Sequence, residues 1–172
     1  MNTRSSLQIE PTRPRNLPDI AALAGLIWRK HYPGIISLAQ IEYMLATMYD
    51  FEVMRQELER GITWLQAVDD GRLCGFASAG PSAPKEFKLH KLYVHPERQR
   101  EGIGAALLKR IESIARAHSA SRLVLNVNKR NEIAITAYRK HGFTIRESVV
   151  VDIGGGFVMD DYVMVKTLEP GA

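Results

Sequence analysis

In its central region the chain reads Leu92-Tyr93-Val94-His95-Pro96-Glu97-Arg98-Gln99-Arg100-Glu101-Gly102-Ile103-Gly104. The first residues are typical of the end of a buried strand, and the segment after Gly102 has the periodicity of a helix. Gly102 and Gly104 carry no side chain that would keep a ligand away from the backbone. The first N–H groups of a helix lack partners and lie at the positive end of its dipole. The turn therefore predicts a phosphate site.

Two common phosphate-binding motifs do not fit this turn. A nucleoside-triphosphate loop requires Gly-Lys-Ser or Gly-Lys-Thr at the helix start, but Ala105 and Ala106 follow Gly104. The dinucleotide-binding fingerprint requires a third glycine, at the position that Leu107 occupies. These residues alone leave two interpretations open, a phosphate site and a helix start that is merely packed.

The composition is that of an ordinary globular protein, and we expect a single domain over residues 1–172. Hydrophobic residues make up 45% and charged residues 24%, which excludes disordered, collagen-like and coiled-coil chains. The single cysteine, Cys74, excludes a disulfide framework and a cysteine-based zinc site. The histidines lack metal-ligand spacing, so we expect no metal. The longest apolar run, Ile20–Trp28, is too short for a bilayer span, and we expect a cytoplasmic protein without membrane contact.

Positive charge is concentrated in the middle of the chain. Residues 85–141 carry 13 Lys and Arg against 5 Asp and Glu, whereas the segments on either side are slightly acidic. This distribution indicates either a polyanionic ligand or a solvated basic surface. No aromatic-rich basic stripe accompanies these charges, so we expect no nucleic-acid partner.

Hydrophobic periodicity and turn residues predict an alternation of strands and helices. The order predicts an α/β fold, with a central, mostly antiparallel mixed sheet, one parallel β-α-β crossover at residues 86–127, and helices on both faces. The predicted strands are Gln8–Pro14, Thr63–Val68, Leu73–Gly80, Glu86–Val94, Arg122–Val127, Phe143–Val151 and Phe157–Val165. The predicted helices are Leu17–Lys30, one capped by Ser37 with Gln40, one from Asp50 to about Gly61, Ile103–His118 and Asn131–Lys140. Pro81–Pro84 is predicted as a loop and Gly154-Gly155-Gly156 as a hairpin tip.

Two motifs in this order resemble those of the GNAT family of N-acetyltransferases. The first is Gln99-x-x-Gly102-x-Gly104, which follows Leu92-Tyr93-Val94-His95-Pro96. The second is Asn131-x-x-Ala134-Ile135-x-x-Tyr138-x-x-x-Gly142-Phe143. The order of the predicted elements also resembles the family, over about residues 8–166. The resemblance implies a single GNAT-like domain with acetyl-CoA as co-substrate.

The resemblance assigns cofactor contacts to both motifs. It implies that the pyrophosphate of CoA lies on the backbone N–H groups of Arg100, Glu101, Gly102, Ile103 and Gly104, with Gln99 beside them. It implies that the pantetheine arm adds to the strand edge formed by Leu92, Tyr93 and Val94, and that Asn131 makes a further contact. Arg98, Arg100, Lys129 and Arg130 are candidate partners of the 3′-phosphate or, equally, surface charges.

The resemblance also implies direct attack of an amine on the thioester in a ternary complex. Tyr138 holds the family's position for the acid that protonates the leaving thiolate, although a core tyrosine would fit the helical spacing as well. Lys88 stands where many relatives carry a glutamate base. His90 and Glu86 lie two residues to either side of Lys88 and are the candidate bases, because alternate strand residues share a face. A hydrogen-bonded histidine that lines the site is the alternative for His90.

We expect the acceptor to be a small-molecule amine, namely a small cationic amine such as a polyamine. Asp152, Asp160 and Asp161 make the last hairpin acidic, which favours a cation. The helices after the first strand and the Asp-Asp-Tyr ending resemble the polyamine acetyltransferase (PaiA-like) branch. The alternatives are a protein or peptide N-acetyltransferase and a non-catalytic acyl-CoA sensor. Candidate pocket aromatics, which could equally belong to the core, are Tyr32, Tyr43, Tyr49 and Phe51. We expect a monomer or a homodimer.

Overall fold

The computed structural model describes residues 6–171, so the ends of the predicted domain, residues 1–5 and 172, lie outside it. The strands are β1 (Gln8–Pro11), β2 (Thr63–Asp69), β3 (Arg72–Ala83), β4 (Glu86–Val94), β5 (Arg122–Asn128), β6 (Thr144–Gly154) and β7 (Phe157–Thr167). The helices are α1 (Leu17–His31), α2 (Leu38–Met48), α3 (Phe51–Glu59), α4 (Ile103–Ala117) and α5 (Glu132–Lys140). Short turns of 3₁₀ helix cover Pro14–Asn16 and Pro96–Arg98.

All of these strands belong to one sheet with the order β1-β2-β3-β4-β5-β7-β6. Among the described strands, β4 and β5 form the one parallel pair, and α4 connects them. Every other neighbouring pair is antiparallel. The predicted α/β class, with a mostly antiparallel sheet and one parallel crossover, is therefore confirmed.

The parallel pair separates halfway along β4. The register of β4 and β5 runs from Glu86 opposite Arg122 to Leu89 opposite Leu125 and stops there. Beyond this point β4 pairs with β3 alone and β5 with β7 alone. One edge of His90–Val94 therefore faces a gap in the sheet, and such an edge is able to pair with another extended chain.

A β-bulge at His90 changes which side chains face each layer of helices. On β3, Ala79 pairs with Leu89 and its neighbour Ser78 pairs with Lys91, so the pairing skips His90. Leu89 packs in the core beneath α4, whereas Tyr93 packs in the core beneath α1. Strict alternation would place both residues on one face. Bulges commonly re-aim side chains beside active sites in this way.

Helices cover both faces of the sheet, as predicted. The core beneath α4 and α5 is formed around Leu107, Ile111 and Phe143, and the core beneath α1–α3 around Trp28 and Trp64. Each fully buried side chain of this size stabilises the fold by roughly 1.5–3 kcal/mol. The predicted inner stripe of α1 is buried throughout, at Ile20, Leu23, Ala24, Ile27 and Trp28.

Some element boundaries differ from the predicted ones where prolines occur. β1 ends at Pro11 rather than Pro14, because proline lacks the N–H that a longer strand would donate. β3 continues to Ala83, through the segment predicted as a loop, and its register with β4 is irregular just after Pro81. A bulge is one of the few places where a strand accepts proline.

Candidate active site

The loop between β4 and α4 presents a continuous run of free backbone donors. From Gln99 through Ala105, no backbone N–H donates to a protein acceptor among the described residues. The first helical bond runs from the Ala106 N–H to the Gly102 carbonyl at 3.0 Å. Arg100 and Gly102 have positive φ angles of 65° and 84°, and this conformation favours glycine at 102. These donors and the positive end of α4 are able to bind a phosphate group.

The free donors lie directly beyond the open edge of β4. β4 ends at Val94, and the next N–H, that of His95, donates to the Cys74 carbonyl at 2.8 Å and holds the turn against β3. Gly104 lies close to the strand, because a Cβ atom on it would be 3.6 Å from Val94 Cγ2. A ligand with an extended polar arm and an anionic end would therefore follow β4 onto the loop without a break.

Most of the basic candidates for the 3′-phosphate already bind protein groups. Arg100 is exposed and, within residues 6–171, has no side-chain partner. It is therefore the candidate phosphate partner among the four. The other pairings are Arg98 with Asp69 at 2.6 Å and Glu101 at 2.7 Å, Lys129 with Asp160 at 2.6 Å, and Arg130 with the carbonyl oxygens of Gly34 at 2.7 Å and Ile35 at 3.1 Å.

The end of α1 borders the loop, a contact that the sequence does not predict. Lys30 and His31 line a cavity of about 220 Å³ together with Pro96 and Gln99. The basic run at the end of this helix has a sufficient local explanation, because cations stabilise a helix C-terminus. Lys30 becomes a candidate phosphate partner because α1 packs beside the loop.

Asn131 is the N-cap of α5. Its Oδ1 accepts a hydrogen bond from the Ala134 N–H at 3.3 Å and lies 3.0 Å from Nε2 of His31, which is able to donate to it. Asn131 is 5% exposed. The amide oxygen is thus occupied by protein donors that fix the start of α5, and a contact with the cofactor stays a prediction.

Tyr138 lies on α5 and packs against the core beneath α4 and α5. The ring is half-buried against Phe143, with centroids 5.5 Å apart. Burial raises the pKa of Tyr138 well above its usual value, and the nearby Tyr32 raises the same pKa further. The hydroxyl therefore stays protonated at neutral pH and is able to donate. Tyr32 is the C-cap of α1, which covers the other face of the sheet, so the two tyrosines influence each other across the sheet.

Two further tyrosines belong to the core beneath α1–α3, on the other face of the sheet. The Tyr32 and Tyr93 oxygens lie 3.0 Å apart, and either is able to donate to the other. Trp28 packs against both rings, with centroid distances of 4.4 Å and 5.8 Å. Burial raises the pKa of both tyrosines, so both are uncharged at neutral pH. Tyr32, a predicted pocket aromatic, is thus placed beside the gap.

The other predicted pocket aromatics lie elsewhere. Tyr49 is buried in the core beneath α1, and Phe51 is exposed at the start of α3. The Tyr43 hydroxyl donates to the Ile153 carbonyl at 2.9 Å, which holds the β6–β7 tip on α2. A Cβ atom on Gly155 would lie 2.6 Å from the Tyr43 ring, so this close approach requires glycine. The glycine run forms the hairpin tip, as predicted.

The bulged His90 lies between two lysines, and only part of its surface is exposed. Desolvation by the surrounding protein lowers the pKa of His90 to about 4, and the charges of Lys91 and Lys88 lower it further. The imidazole is therefore neutral at pH 7, but it is a weak acceptor for the proton of an ammonium group. The role of His90 as the base stays a prediction, and the neighbouring cations disfavour it.

The structure does not support Glu86 as a base. Its Oε1 accepts from Arg146 at 2.6 Å and from Arg122 at 3.2 Å, and its side chain is only 12% exposed. It lies in the paired half of β4, about 13 Å along the strand from His90 at about 3.3 Å per residue. The alternation of strand residues predicts that Glu86 and His90 share a face, but it does not show which end of β4 pairs with β5.

We therefore expect Glu86→Gln to change stability and not turnover. The substitution removes the charge that pairs with two arginines, which should lower the free energy of unfolding by about 1 kcal/mol and the midpoint by about 2–4 °C. Steady-state kinetics should show kcat/KM within about threefold of wild type. Glu147→Gln, at the exposed neighbour of Arg146, is the matched control. A hundredfold loss of kcat in the Glu86 variant alone would restore the base role.

The three acidic residues of the last hairpin have different environments. Asp152 is exposed at the turn, and Asp160 is exposed and paired with Lys129. Asp161 is 3% exposed, and its Oδ1 has no hydrogen-bond partner among the described residues. The alternation of strand residues distinguishes Asp161 from Asp160, because Asp161 shares a face of β7 with the buried Val163.

Other kinds of site have no counterpart within residues 6–171. No group of three or more His, Cys, Asp or Glu side chains there is arranged to hold a metal ion. No helix in that range is long and apolar enough to cross a bilayer. Cys74 is buried, its thiol donates to the Ala67 carbonyl at 3.2 Å, and burial raises its pKa. It is thus a packed residue rather than a nucleophile.

Comparisons with known proteins agree with this geometry. The sequence profile of the acetyltransferase (GNAT) family matches residues 25–143. A spermidine N(1)-acetyltransferase of Thermoplasma acidophilum is 28% identical over 160 residues, which cover 90% of this chain and 96% of that protein. The structure of a PaiA N-acetyltransferase from Thermoplasma acidophilum, in complex with coenzyme A, is similar with a TM-score of 0.82 and 28% identity, over 94% of this chain and 99% of the other. A ribosomal-protein-alanine N-acetyltransferase from Brucella melitensis has a TM-score of 0.72 and 26% identity, over 94% and 99% of the two chains.

Proposed function

Because the chain belongs to the acetyltransferase (GNAT) family, we propose that it transfers the acetyl group of acetyl-CoA to the primary amine of a small cationic acceptor such as a polyamine. One observation carries the proposal. The open edge of β4, from His90 to Val94, leads directly into a loop whose N–H groups are free.

The shape of acetyl-CoA suits this combination of features. Its pantetheine arm contains amides, which the backbone of Leu92–Val94 is able to pair with as an added strand. Its pyrophosphate suits the free N–H groups of Arg100–Gly104, and the Gln99 side chain is exposed beside them. The Arg100 and Lys30 side chains supply positive charge for the phosphates. A similar structure binds coenzyme A, which supports the assignment.

The transfer requires an uncharged amine, a stabilised oxyanion and a proton for the departing thiolate. We assign the last of these to the Tyr138 hydroxyl, which is protonated at neutral pH, although its raised pKa makes it a weaker acid than an ordinary phenol. A thiol has an ordinary pKa of about 8.5, below that of this phenol. The tyrosinate formed by the transfer therefore takes a proton back from the nitrogen of the tetrahedral adduct. No covalent intermediate on the protein is needed.

The acceptor side suits a small cation better than a peptide. Tyr43 and Gln40 anchor the β6–β7 hairpin to α2, through the Ile153 and Val158 carbonyls at 2.9 Å each. The anchored hairpin covers one side of the gap and carries the buried acidic group Asp161. A relative that covers most of the chain is a spermidine N(1)-acetyltransferase, which points to the same class of acceptor.

The test is release of thiol from acetyl-CoA in the presence of different amines. We expect turnover with spermidine or spermine and little with amino acids, aminoglycosides or N-terminal peptides. A thermal shift with CoA serves as the binding control. Turnover with an N-terminal peptide alone would replace the polyamine by a protein acceptor. A CoA-induced shift without turnover on any amine would favour the sensor alternative, and no shift at all would contradict the assigned CoA site.

A further inference from the structure

Asp161 is a buried carboxylate for which residues 6–171 supply no counterion. It lies on β7 opposite Asn128 of β5, in the half of β5 that no longer pairs with β4. Its residue exposure is 3%, and its Oδ1 has no hydrogen-bond partner within residues 6–171. No Lys or Arg nitrogen of those residues lies within salt-bridge distance, since Lys129 pairs with Asp160 instead. An unpaired charge in such a place is costly to the fold, and this cost indicates a ligand with the opposite charge.

The groups around Asp161 come from every neighbouring element. Burial raises the pKa of Asp161 to about 6, and the charge of Asp160 raises it further. The Asn126 amide of β5 and the charges of Lys88 on β4 and Lys129 lower the same pKa. The carboxyl is therefore mostly ionised at pH 7, yet it is far more basic than an ordinary aspartate.

Tyr32 connects Asp161 with the proposed acid. The charge of Asp161 raises the pKa of Tyr32, and Tyr32 in turn raises the pKa of Tyr138. Tyr32 is therefore near both the Asp161 carboxylate and the Tyr138 hydroxyl. An ammonium group bound near Tyr32 would lie close to both of them.

We propose that Asp161 binds the ammonium group of the acceptor and takes its first proton. This proposal rests on the proposed function. The ammonium gives one proton to Oδ1 of Asp161, and the neutral amine attacks the thioester carbon. A C–N bond forms and the C–S bond breaks, while Tyr138 protonates the sulfur and regains a proton from the nitrogen. Protonated Asp161 then releases its proton to water, so each turnover yields the amide, free CoA and one proton.

This assignment explains why no carboxylate is needed on β4. Lys91 and Lys88, the latter at the usual glutamate position, lower the pKa of His90 and so weaken that imidazole as a proton acceptor. Glu86 is committed to Arg122 and Arg146. Asp161 lies on β7, on the far side of β5 from β4, and its buried Oδ1 has no hydrogen-bond partner within residues 6–171.

The test compares Asp161→Asn with Asp160→Asn, a matched control on the adjacent exposed, ion-paired residue. In the wild type, kcat/KM for spermidine should rise about tenfold per pH unit below about pH 6 and then level off, because the carboxyl must be ionised to take the proton. Asp161→Asn should lower kcat/KM at pH 7 by about a hundredfold and remove the plateau. Its kcat/KM should keep rising with pH, since the variant depends on the fraction of amine that is already uncharged. Asp160→Asn should keep the wild-type kcat/KM at pH 7 and the plateau, which should begin at a lower pH because a charge that raises the pKa of Asp161 is gone.

Hydroxylamine distinguishes proton transfer from a merely structural role, because this small amine is already uncharged at neutral pH. After the protein-free reaction of hydroxylamine with acetyl-CoA is subtracted, Asp161→Asn should retain hydroxylamine-dependent thiol release within about threefold of wild type. Its thermal midpoint and CoA-induced shift should be preserved. An unchanged pH profile with spermidine would overturn the proposal, as would an equal loss with hydroxylamine and spermidine. Absence of turnover by the wild-type protein on any amine would overturn the proposed function, and the role of Asp161 with it.

Discussion

Replacing Tyr138 by phenylalanine is expected to lower kcat by at least about a hundredfold while leaving the affinity for CoA within about twofold. The reason is that general acid catalysis by a positioned side chain contributes about 10²–10⁴-fold to a rate. The ring packs against Phe143 and the substitution keeps it, so the local structure should be preserved. Pre-steady-state thiol release, with thermal shift titrations of CoA, measures both quantities.

Tyr162→Phe is the matched control for this prediction. Tyr162 is also partly buried and packs against the core beneath α4, but the Lys129 ammonium lies over its ring and it faces away from Asp161. Its kcat should stay within about twofold of wild type. If Tyr138→Phe behaves in the same way, another group protonates the leaving thiolate, and Tyr138 is only a packed side chain.

Replacing Gly104 by aspartate is expected to weaken CoA binding by about a hundredfold without weakening the fold. Gly104 is in the first turn of α4, where its neighbours offer the free N–H groups to the phosphates. A carboxylate about 5 Å from two phosphate charges would cost about 3 kcal/mol at an intermediate effective dielectric constant. The same carboxylate favours the helix, because an acidic residue stabilises a helix N-terminus.

The two effects therefore act in opposite directions, and one thermal-shift experiment separates them. The ligand-free variant should unfold at the wild-type temperature or slightly above it, and the midpoint should no longer rise with CoA. Gly104→Ala is the control, because its Cβ atom would meet Val94 at an ordinary contact distance of 3.6 Å. An undiminished CoA shift in the aspartate variant would show that the phosphates bind elsewhere.

Local features of the fold were predictable from short segments of sequence. Ser37 accepts from the Gln40 N–H and Asp50 caps α3, as predicted. The predicted capping box is only half present, since the Gln40 side chain donates to Val158 of β7 instead. Here a partner 118 residues away takes the place of the local one. The bond from the Gln40 N–H to Ser37 depends on neighbouring residues only. The partner of the long Gln40 side chain depends on how α2 packs against β7.

The sequence by itself determined the strand, the turn and the helix start between Leu92 and Gly104, because hydrophobic period and glycine conformation act over a few residues. It also determined the family, through two motifs in order. Only the tertiary structure decided that Glu86 is held by Arg146, 60 residues away, and that the bulge at His90 turns the end of β4. Only the tertiary structure shows that Asp161 is buried and Asp160 is exposed. Each of these depends on which segments meet in the sheet, and neither spacing nor residue type specifies that.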